Sequence, residues 1–347
     1  MKKDILETIG NTPLVRLTRA IEDAPFNLFA KLEAFNPGGS IKDRAALSMM
    51  KHALDNGLIE RGTTVIESSS GNMGIGLAQA CAYLGLHFIC VIDPKTTRLN
   101  IEILQAYGAE IDLIIEPDKV TGEFLHARLN RVKVLLEEIP GSFCPDQYSN
   151  EYNAKAHELT MHEIVTELDR KVDYLFCATS TCGTLRGCSD YLRKQYLKTT
   201  VIAVDAVGSV IFKNESAMRL IPGHGAAVSP PLFRPGLAHA CVHVSDGECV
   251  VGCRRLVTRE AILAGGSSGA ILMAIEKMKR DIPRDANCVA ILADRGERYL
   301  DTIYSDEWVR KHFGDISHLW QQAEEFQTTA GGTDRTQGQP LTLIQLK

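Results

Sequence analysis

Asn36-Pro37-Gly38-Gly39-Ser40-Ile41-Lys42-Asp43-Arg44 follows the β-rich run Phe26 to Leu32, and Glu67-Ser68-Ser69-Ser70-Gly71-Asn72-Met73-Gly74 forms a second punctuated stretch further along. The first places a lysine at the start of a helix, behind a Gly-Gly-Ser turn. A helix N-terminus disfavours a cation and lowers the pKa of an amine held there. A neutral amine can condense with an aldehyde to form a Schiff base. The second stretch offers hydroxyls, an amide and bare backbone N–H groups to an anion.

Composition narrows the setting. The chain has 347 residues, 45% hydrophobic and 23% charged, enough for two lobes around sizeable cores. Its 38 basic and 43 acidic residues leave a net charge of −5, which argues against a nucleic-acid or anionic-membrane surface. No apolar run approaches the roughly 20 residues of a membrane span. Met1-Lys2-Lys3 leads into Asp4 and Glu7 instead of an apolar signal core, so a cytoplasmic location is expected. The ten cysteines read as reduced thiols, since neither Cys177, Cys182 and Cys188 nor Cys249 and Cys253 have paired zinc-site spacing. His157 and His162 stand five apart, about 140° round a helix, so no metal is expected there.

Strand-like and helix-like segments alternate. Strands are expected at Thr64 to Ile66, Leu86 to Ile92, Ile111 to Ile115, Tyr174 to Cys177, Val201 to Val204 and Val289 to Leu292. Helices are expected at Gly71 to Tyr83, Thr96 to Tyr107, Gly122 to Leu136, Gly183 to Gln195, Cys249 to Ala261 and Ser268 to Lys279. This rhythm predicts an α/β fold of two lobes, each with a largely parallel twisted sheet covered by helices. Sites in such folds lie beyond the carboxyl ends of the strands, where the turns after Ile66 and Cys177 fall. Pro222 to Pro235, rich in Gly and Pro, reads as a long functional loop. The stretch 321–347, rich in Gln, Thr and Gly, reads as a disordered tail, with pairing of Leu341 to Leu346 at a sheet edge as the alternative.

Two further turns carry chemistry. Ala178-Thr179-Ser180-Thr181-Cys182-Gly183-Thr184 joins a strand to a helix, and its hydroxyls and N–H groups could cradle a phosphate. The dinucleotide pattern Gly-x-Gly-x-x-Gly is absent there and at Gly71 to Gly76. Gly265-Gly266-Ser267-Ser268-Gly269 opens another helix. It is either a tight turn with a serine N-cap, or it places the Ser267 hydroxyl on a cofactor's pyridine nitrogen. A neutral hydroxyl would leave the ring a weaker electron sink, suited to β-elimination. With Lys42, these segments point to pyridoxal 5′-phosphate.

The set resembles the fold-type II pyridoxal phosphate enzymes of the cysteine synthase and cystathionine β-synthase family, over roughly Ile5 to Leu319. It includes Ile9-Gly10-Asn11-Thr12-Pro13-Leu14, Asn36 to Arg44, Ser69 to Asn72, Gln147, Ser180 to Thr184 and Ser267. The resemblance implies that Lys42 carries the cofactor and moves the Cα proton, and that Asn72 bonds the cofactor's 3′-oxygen. Ser69, Ser70, Gly71, Asn72, Met73 and Gln147 would line the substrate-carboxylate site, and Ser180, Thr181, Cys182, Gly183 and Thr184 the phosphate site. It also implies a large cofactor-binding domain of 1–46 plus 151–320, a small mobile domain of 47–150, and a homodimer. Two positions depart from ordinary cysteine synthases: Met73 stands for a threonine, and Cys182 for a glycine. The tail is too short for a C-terminal pair of regulatory domains.

Within this family the chain is most similar to the 2,3-diaminopropionate biosynthesis enzymes of siderophore pathways, through Val91 to Lys95, Asp205 to Phe212 and Asp294 to Leu300. That likeness implies exchange of the phosphate of O-phospho-L-serine for the amine of L-glutamate. The product, N-(2-amino-2-carboxyethyl)-L-glutamate, would pass to an NAD-dependent enzyme that splits it. A dianionic leaving group and a dicarboxylate nucleophile call for arginines. Arg219 is the candidate for the phosphate and Arg128 for a glutamate carboxylate, with Tyr148 and Ser180 adding hydrogen bonds. A cysteine synthase using O-acetylserine or O-phosphoserine with sulfide is the alternative enzyme. A catalytically silent binding protein is the alternative class, against which the intact Lys42 argues.

Overall fold

The run from Phe26 becomes a strand one in from the edge of the larger of two sheets. A computed structural model describes residues 1–212 and 215–321. Its strands are Leu14–Leu17 (β1), Asn27–Leu32 (β2), Thr64–Ser68 (β3), His87–Ile92 (β4), Glu110–Leu113 (β5), Tyr174–Ala178 (β6), Thr200–Ala206 (β7), Ala240–Val244 (β8) and Asn287–Leu292 (β9). Its α-helices are Lys42–Asp55 (α1), Asn72–Leu84 (α2), Arg98–Ala106 (α3), Phe124–Glu138 (α4), Glu151–Glu167 (α5), Gly183–Lys194 (α6), Asp246–Glu260 (α7), Gly266–Met278 (α8) and Asp306–Phe313 (α9).

Six strands pair in the order β1-β2-β9-β6-β7-β8, and three in the order β3-β4-β5. Every pairing is parallel except β1 with β2. Both faces of the large sheet are covered, so its central strands are apolar at successive positions. Ile202 and Val204 join the core under α7 and α8, whereas Val201 and Ala203 join the core under α5 and α6. The small sheet behaves alike: Val65, Phe88 and Cys90 pack towards α1 and α2, and Ile66, Ile89 and Val91 towards α4. The period of two decides which face each side chain serves.

Helix α1 links the halves. It packs on α2 and on α5. Ile41, just before it, belongs to the large-sheet core, and Met49 and Met50 to the small-sheet core. Residues 46 and 47 therefore sit inside one continuous helix. Helix α2 can approach it because its positions are small: a Cβ on Gly76 would lie 3.2 Å from the carbonyl oxygen of Lys42. That close approach sets the start of α2 beside the first turn of α1.

The expected strands and helices form, with ends shifted by a few residues. The sequence reading had no counterpart for β1, β8, α5 and α9. Helix α5 buries Asn153, His157, Thr160 and Glu163 beside its apolar residues, so its inward face carries no clean apolar stripe. The stretch 222–235 holds no helix or strand. All ten cysteines are unpaired, and eight are buried. Among the described residues no helix is long and apolar enough to cross a membrane. Apart from residue 321, the expected tail lies outside the described residues.

Candidate active site

Lys42 is fixed from behind and below. Ser40 bridges Asp294 just past β9, and the Ile41 N–H donates to the Ala293 carbonyl at 2.8 Å. Two residues beyond Lys42, the Arg44 guanidinium is buried between two carboxylates. It donates to Glu33 at 2.6 Å and 2.8 Å, and to both oxygens of Glu163 at 2.7 Å. The Lys31 amine reaches Glu163 at 2.9 Å, the Thr12 hydroxyl donates to Glu33 at 2.7 Å, and the Gly10 N–H donates to Asn36 at 2.9 Å. This network gives the joint occurrence of Gly10 to Thr12 and Asn36 to Arg44 a physical reason: each segment satisfies the buried polar groups of the other. Burial pushes the pKa of the Lys42 amine down, while Asp294 and then Cys182 act in the opposite direction. Desolvation, which the turn itself does not reveal, is the first cause of the shift.

Facing Lys42 is the turn from β6 into α6. Cys182 stands at the N-cap with a left-handed φ of 65° and its side chain caps nothing; the Gly183 N–H reaches the Thr181 hydroxyl at 3.4 Å, and further first-turn N–H groups remain for a ligand. This backbone is one that glycine adopts at least cost, so the cysteine keeps the turn and adds a buried thiol. Gly183 has no room for a side chain, since a Cβ would sit 2.3 Å from the Asn153 Oδ1. Asn153 also donates to the Gln147 carbonyl at 2.6 Å and to the Thr181 hydroxyl at 3.3 Å, tying two predicted site segments together. Nothing in the local sequence around Asn153 marked this role. Lys42, Ser180, Thr181, Cys182, Thr184 and Ser267 line one cleft. Ser267 is not the N-cap of α8, which is Gly265 without a side-chain bond, and it lines the cleft. A roomier open groove lies outside, between α5 and α6 at His162 and Tyr191, and holds none of these groups.

The loop from β3 into α2 contributes no residue to the lining of the Lys42 cleft and reaches the Lys42 segment through Asn72 and Asp294. The buried Ser69 hydroxyl accepts from the Gly74 N–H at 2.9 Å and so shapes the loop. The Ser70 carbonyl accepts from Asn100 at 3.2 Å. Gly71 is the N-cap of α2. Met73, 2% exposed, belongs to the small-sheet core, so only its backbone can serve a ligand. Gln147 is held against the loop, donating from its side chain to the Ser68 carbonyl at 3.0 Å and from its N–H to Glu67 at 3.1 Å. Asn72 donates to Asp294 at 2.7 Å and accepts from Arg298.

The two candidate arginines stand apart in the fold. Arg128, on α4, is buried at ion-pair distance from Asp93, 3.1 Å, without the alignment of a hydrogen bond. It adjoins Tyr148, whose hydroxyl burial pushes up to about 12 while Arg128 opposes the shift. Arg219, on the loop after β7, is half-buried and donates to the His224 carbonyl at 3.0 Å. Its loop reaches the β6–α6 turn through Gly225, whose N–H donates to the Thr179 carbonyl at 2.7 Å. The sequence showed neither the Asp93 partner of Arg128 nor the contacts of Asp294, Arg298 and Tyr299 around Asn72.

Comparison with known proteins agrees with this geometry. The profile of the family described as "Pyridoxal-phosphate dependent enzyme" matches residues 5–294. An N-(2-amino-2-carboxyethyl)-L-glutamate synthase of Ralstonia nicotianae is 43% identical over 89% of this chain and 91% of its own. The crystal structure of an O-ureido-L-serine synthase superposes with a TM-score of 0.82 at 30% identity, covering 88% of this chain and 98% of its own. That of an O-acetylserine-dependent cystathionine β-synthase from Helicobacter pylori gives 0.81 at 30%, covering 88% and 99%.

Proposed function

Because the chain belongs to the family of pyridoxal-phosphate-dependent enzymes, we propose that it is an N-(2-amino-2-carboxyethyl)-L-glutamate synthase. It joins O-phospho-L-serine and L-glutamate and releases phosphate. The observation that carries the chemistry is the Lys42 amine, depressed by burial, in one cleft with the first turn of α6 and Ser267. The likeness to the Ralstonia enzyme supports glutamate as the nucleophile.

The residues present fit the cofactor. Lys42 offers an amine to its aldehyde, residues 180–184 offer N–H groups and hydroxyls to its phosphate, Ser267 a hydroxyl to its ring nitrogen, and Asn72 an N–H to its 3′-oxygen. Bound there, pyridoxal phosphate supplies an electron sink that lets the Cα proton and the β-phosphate of phosphoserine leave. Lys42 takes the proton from Cα and later returns one to it. Ser69, Ser70, Gly71, Asn72, the Met73 backbone and Gln147 hold the substrate carboxylate. Arg219 receives the departing phosphate, and Arg128 with Tyr148 orients the glutamate. The glutamate amine must attack Cβ in its neutral form.

The wider reading comprises a cofactor domain of 1–46 plus 151–320 and a smaller domain of 47–150 that closes over the substrates. It also comprises a homodimer and a role in supplying diaminopropionate for a siderophore, with an NAD-dependent enzyme consuming the product. The unpaired thiols suit a reducing, cytoplasmic compartment. A cysteine synthase is the second reading, favoured by the Asp93 already beside Arg128. Absorbance titration separates the two. A visible band that O-phospho-L-serine shifts and L-glutamate restores supports the proposal. Restoration by sulfide and not by glutamate makes the chain a cysteine synthase.

A further inference from the structure

Asp294, two residues past the end of β9, faces three elements. Its Oδ2 accepts from the Asn72 side chain at 2.7 Å and from the Tyr299 hydroxyl at 2.6 Å. Arg298 donates to the Asn72 Oδ1 and to the Gly38 carbonyl. Asp294, Arg298 and Tyr299 are all buried. The carboxylate also packs close to its neighbours, since a Cβ on Gly265 would lie 2.1 Å from Oδ1. Asn72 and Asp294 are 222 positions apart, one opening α2 beside the small sheet and the other leaving the large sheet.

These bonds fix the Asn72 amide at both ends. Its oxygen faces a guanidinium and one of its two N–H groups faces a carboxylate. A flip would set the NH₂ against the guanidinium and the oxygen against the carboxylate, so only one orientation satisfies both. The other N–H has no hydrogen-bond acceptor among the described residues. Resting on the reading of this cleft as a pyridoxal phosphate site, we propose that Asp294 and Arg298 are positioning residues that act through Asn72, aiming its one free N–H at the anionic oxygen of the cofactor ring. Tyr299 holds the Asp294 carboxylate in the rotamer this requires.

The test is a double-mutant cycle on binding of pyridoxal phosphate to the full chain, followed by the visible band and its maximum. Asn72→Ala, Asp294→Ala and Arg298→Met should each weaken cofactor binding by about tenfold or more and shift the band in the same direction. Asp294→Ala in the Asn72→Ala background should cost much less than it does alone, because the group through which it positions the cofactor is gone and only its charge effect on Lys42 remains. Asp294→Asn, which keeps an acceptor for Asn72, should recover most of the affinity. Thermal melting checks that each variant folds, and if Asp294→Ala does not, the cycle between Arg298→Met and Asn72→Ala decides. Additive losses, or wild-type affinity with an unmoved band in Asp294→Ala and Arg298→Met, overturn the positioning role alone. A wild-type chain that shows no band with the cofactor overturns the reading of the cleft as well.

Discussion

Glu163 and Glu67 are buried carboxylates serving the same cleft from different sides, and the fold treats them oppositely. Glu163, on α5, lies under the lysine. Burial alone would raise its pKa, but two hydrogen bonds from Arg44, one from the Asn11 N–H and the Lys31 amine hold it at about 2. Glu67, on β3, lies under the Asn72 loop and accepts from the N–H groups of Ser68 and Gln147. These bonds oppose desolvation without overcoming it, and the carboxyl is pushed up to about 8. The lysine is thus anchored by paired full charges, and the substrate loop by weaker contacts whose strength depends on a proton. An anchored lysine beside a lightly held loop is the contrast that the proposed closure of residues 47–150 calls for.

The largest expected effect falls on the anchored side. Lys42→Ala should lower turnover of phosphoserine and glutamate by about 10³-fold or more. The urea midpoint should stay at or above that of the parent, because a desolvated amine does not stabilise the fold. A variant that lost stability and activity in parallel would make Lys42 a structural residue. Next comes Arg44→Met, which leaves Glu33 and Glu163 buried without their cation. It should destabilise the chain by about 3–5 kcal/mol in urea unfolding at neutral pH. A loss under about 1 kcal/mol would mean that the two sides are held alike.

The pH dependence of stability divides the two carboxyls by sign. Glu67 titrates near 4.5 when unfolded and near 8 when folded, so between those values the folded chain binds the extra proton. Its contribution is intact below about 4.5 and declines as pH rises to about 8, with a slope of up to about 1.4 kcal/mol per unit. Asp43, pushed by burial up to about 7, acts in the same direction. Glu163 runs the other way: its contribution is present above about 4.5 and is lost as pH falls towards 2. Urea midpoints measured from pH 3 to pH 9 should therefore peak on the acid side of neutrality. The smallest effect is that of Glu67→Gln. It should cost about 1 kcal/mol near pH 6, where one backbone acceptor is lost, and flatten the decline on the alkaline side. An unchanged alkaline slope would assign that decline elsewhere.

The legible part of this protein was local. The strand–turn–helix rhythm, the lysine turn and the hydroxyl-rich phosphate turn are written in consecutive residues, and each motif lands at the carboxyl end of a strand. The illegible part depends on residues that meet only in three dimensions. Arg128 looked free until Asp93 was placed beside it. Met73 sits in the substrate loop by position and in the core by side chain, because the first turn of α2 faces inward. Asn153 joins two site segments from a helix whose buried face mixes polar and apolar residues, which hid its period. Burial, the main cause of the lowered lysine pKa, is a property of the packed cleft and could not be read from the turn that carries it.

The most direct test of the proposed reaction is product analysis by mass spectrometry. The purified chain, loaded with pyridoxal phosphate, would be given O-phospho-L-serine with L-glutamate and sulfide in competition. The account predicts N-(2-amino-2-carboxyethyl)-L-glutamate with an equal amount of phosphate. Cysteine as the product, with no glutamate adduct even when sulfide is withheld, would contradict it.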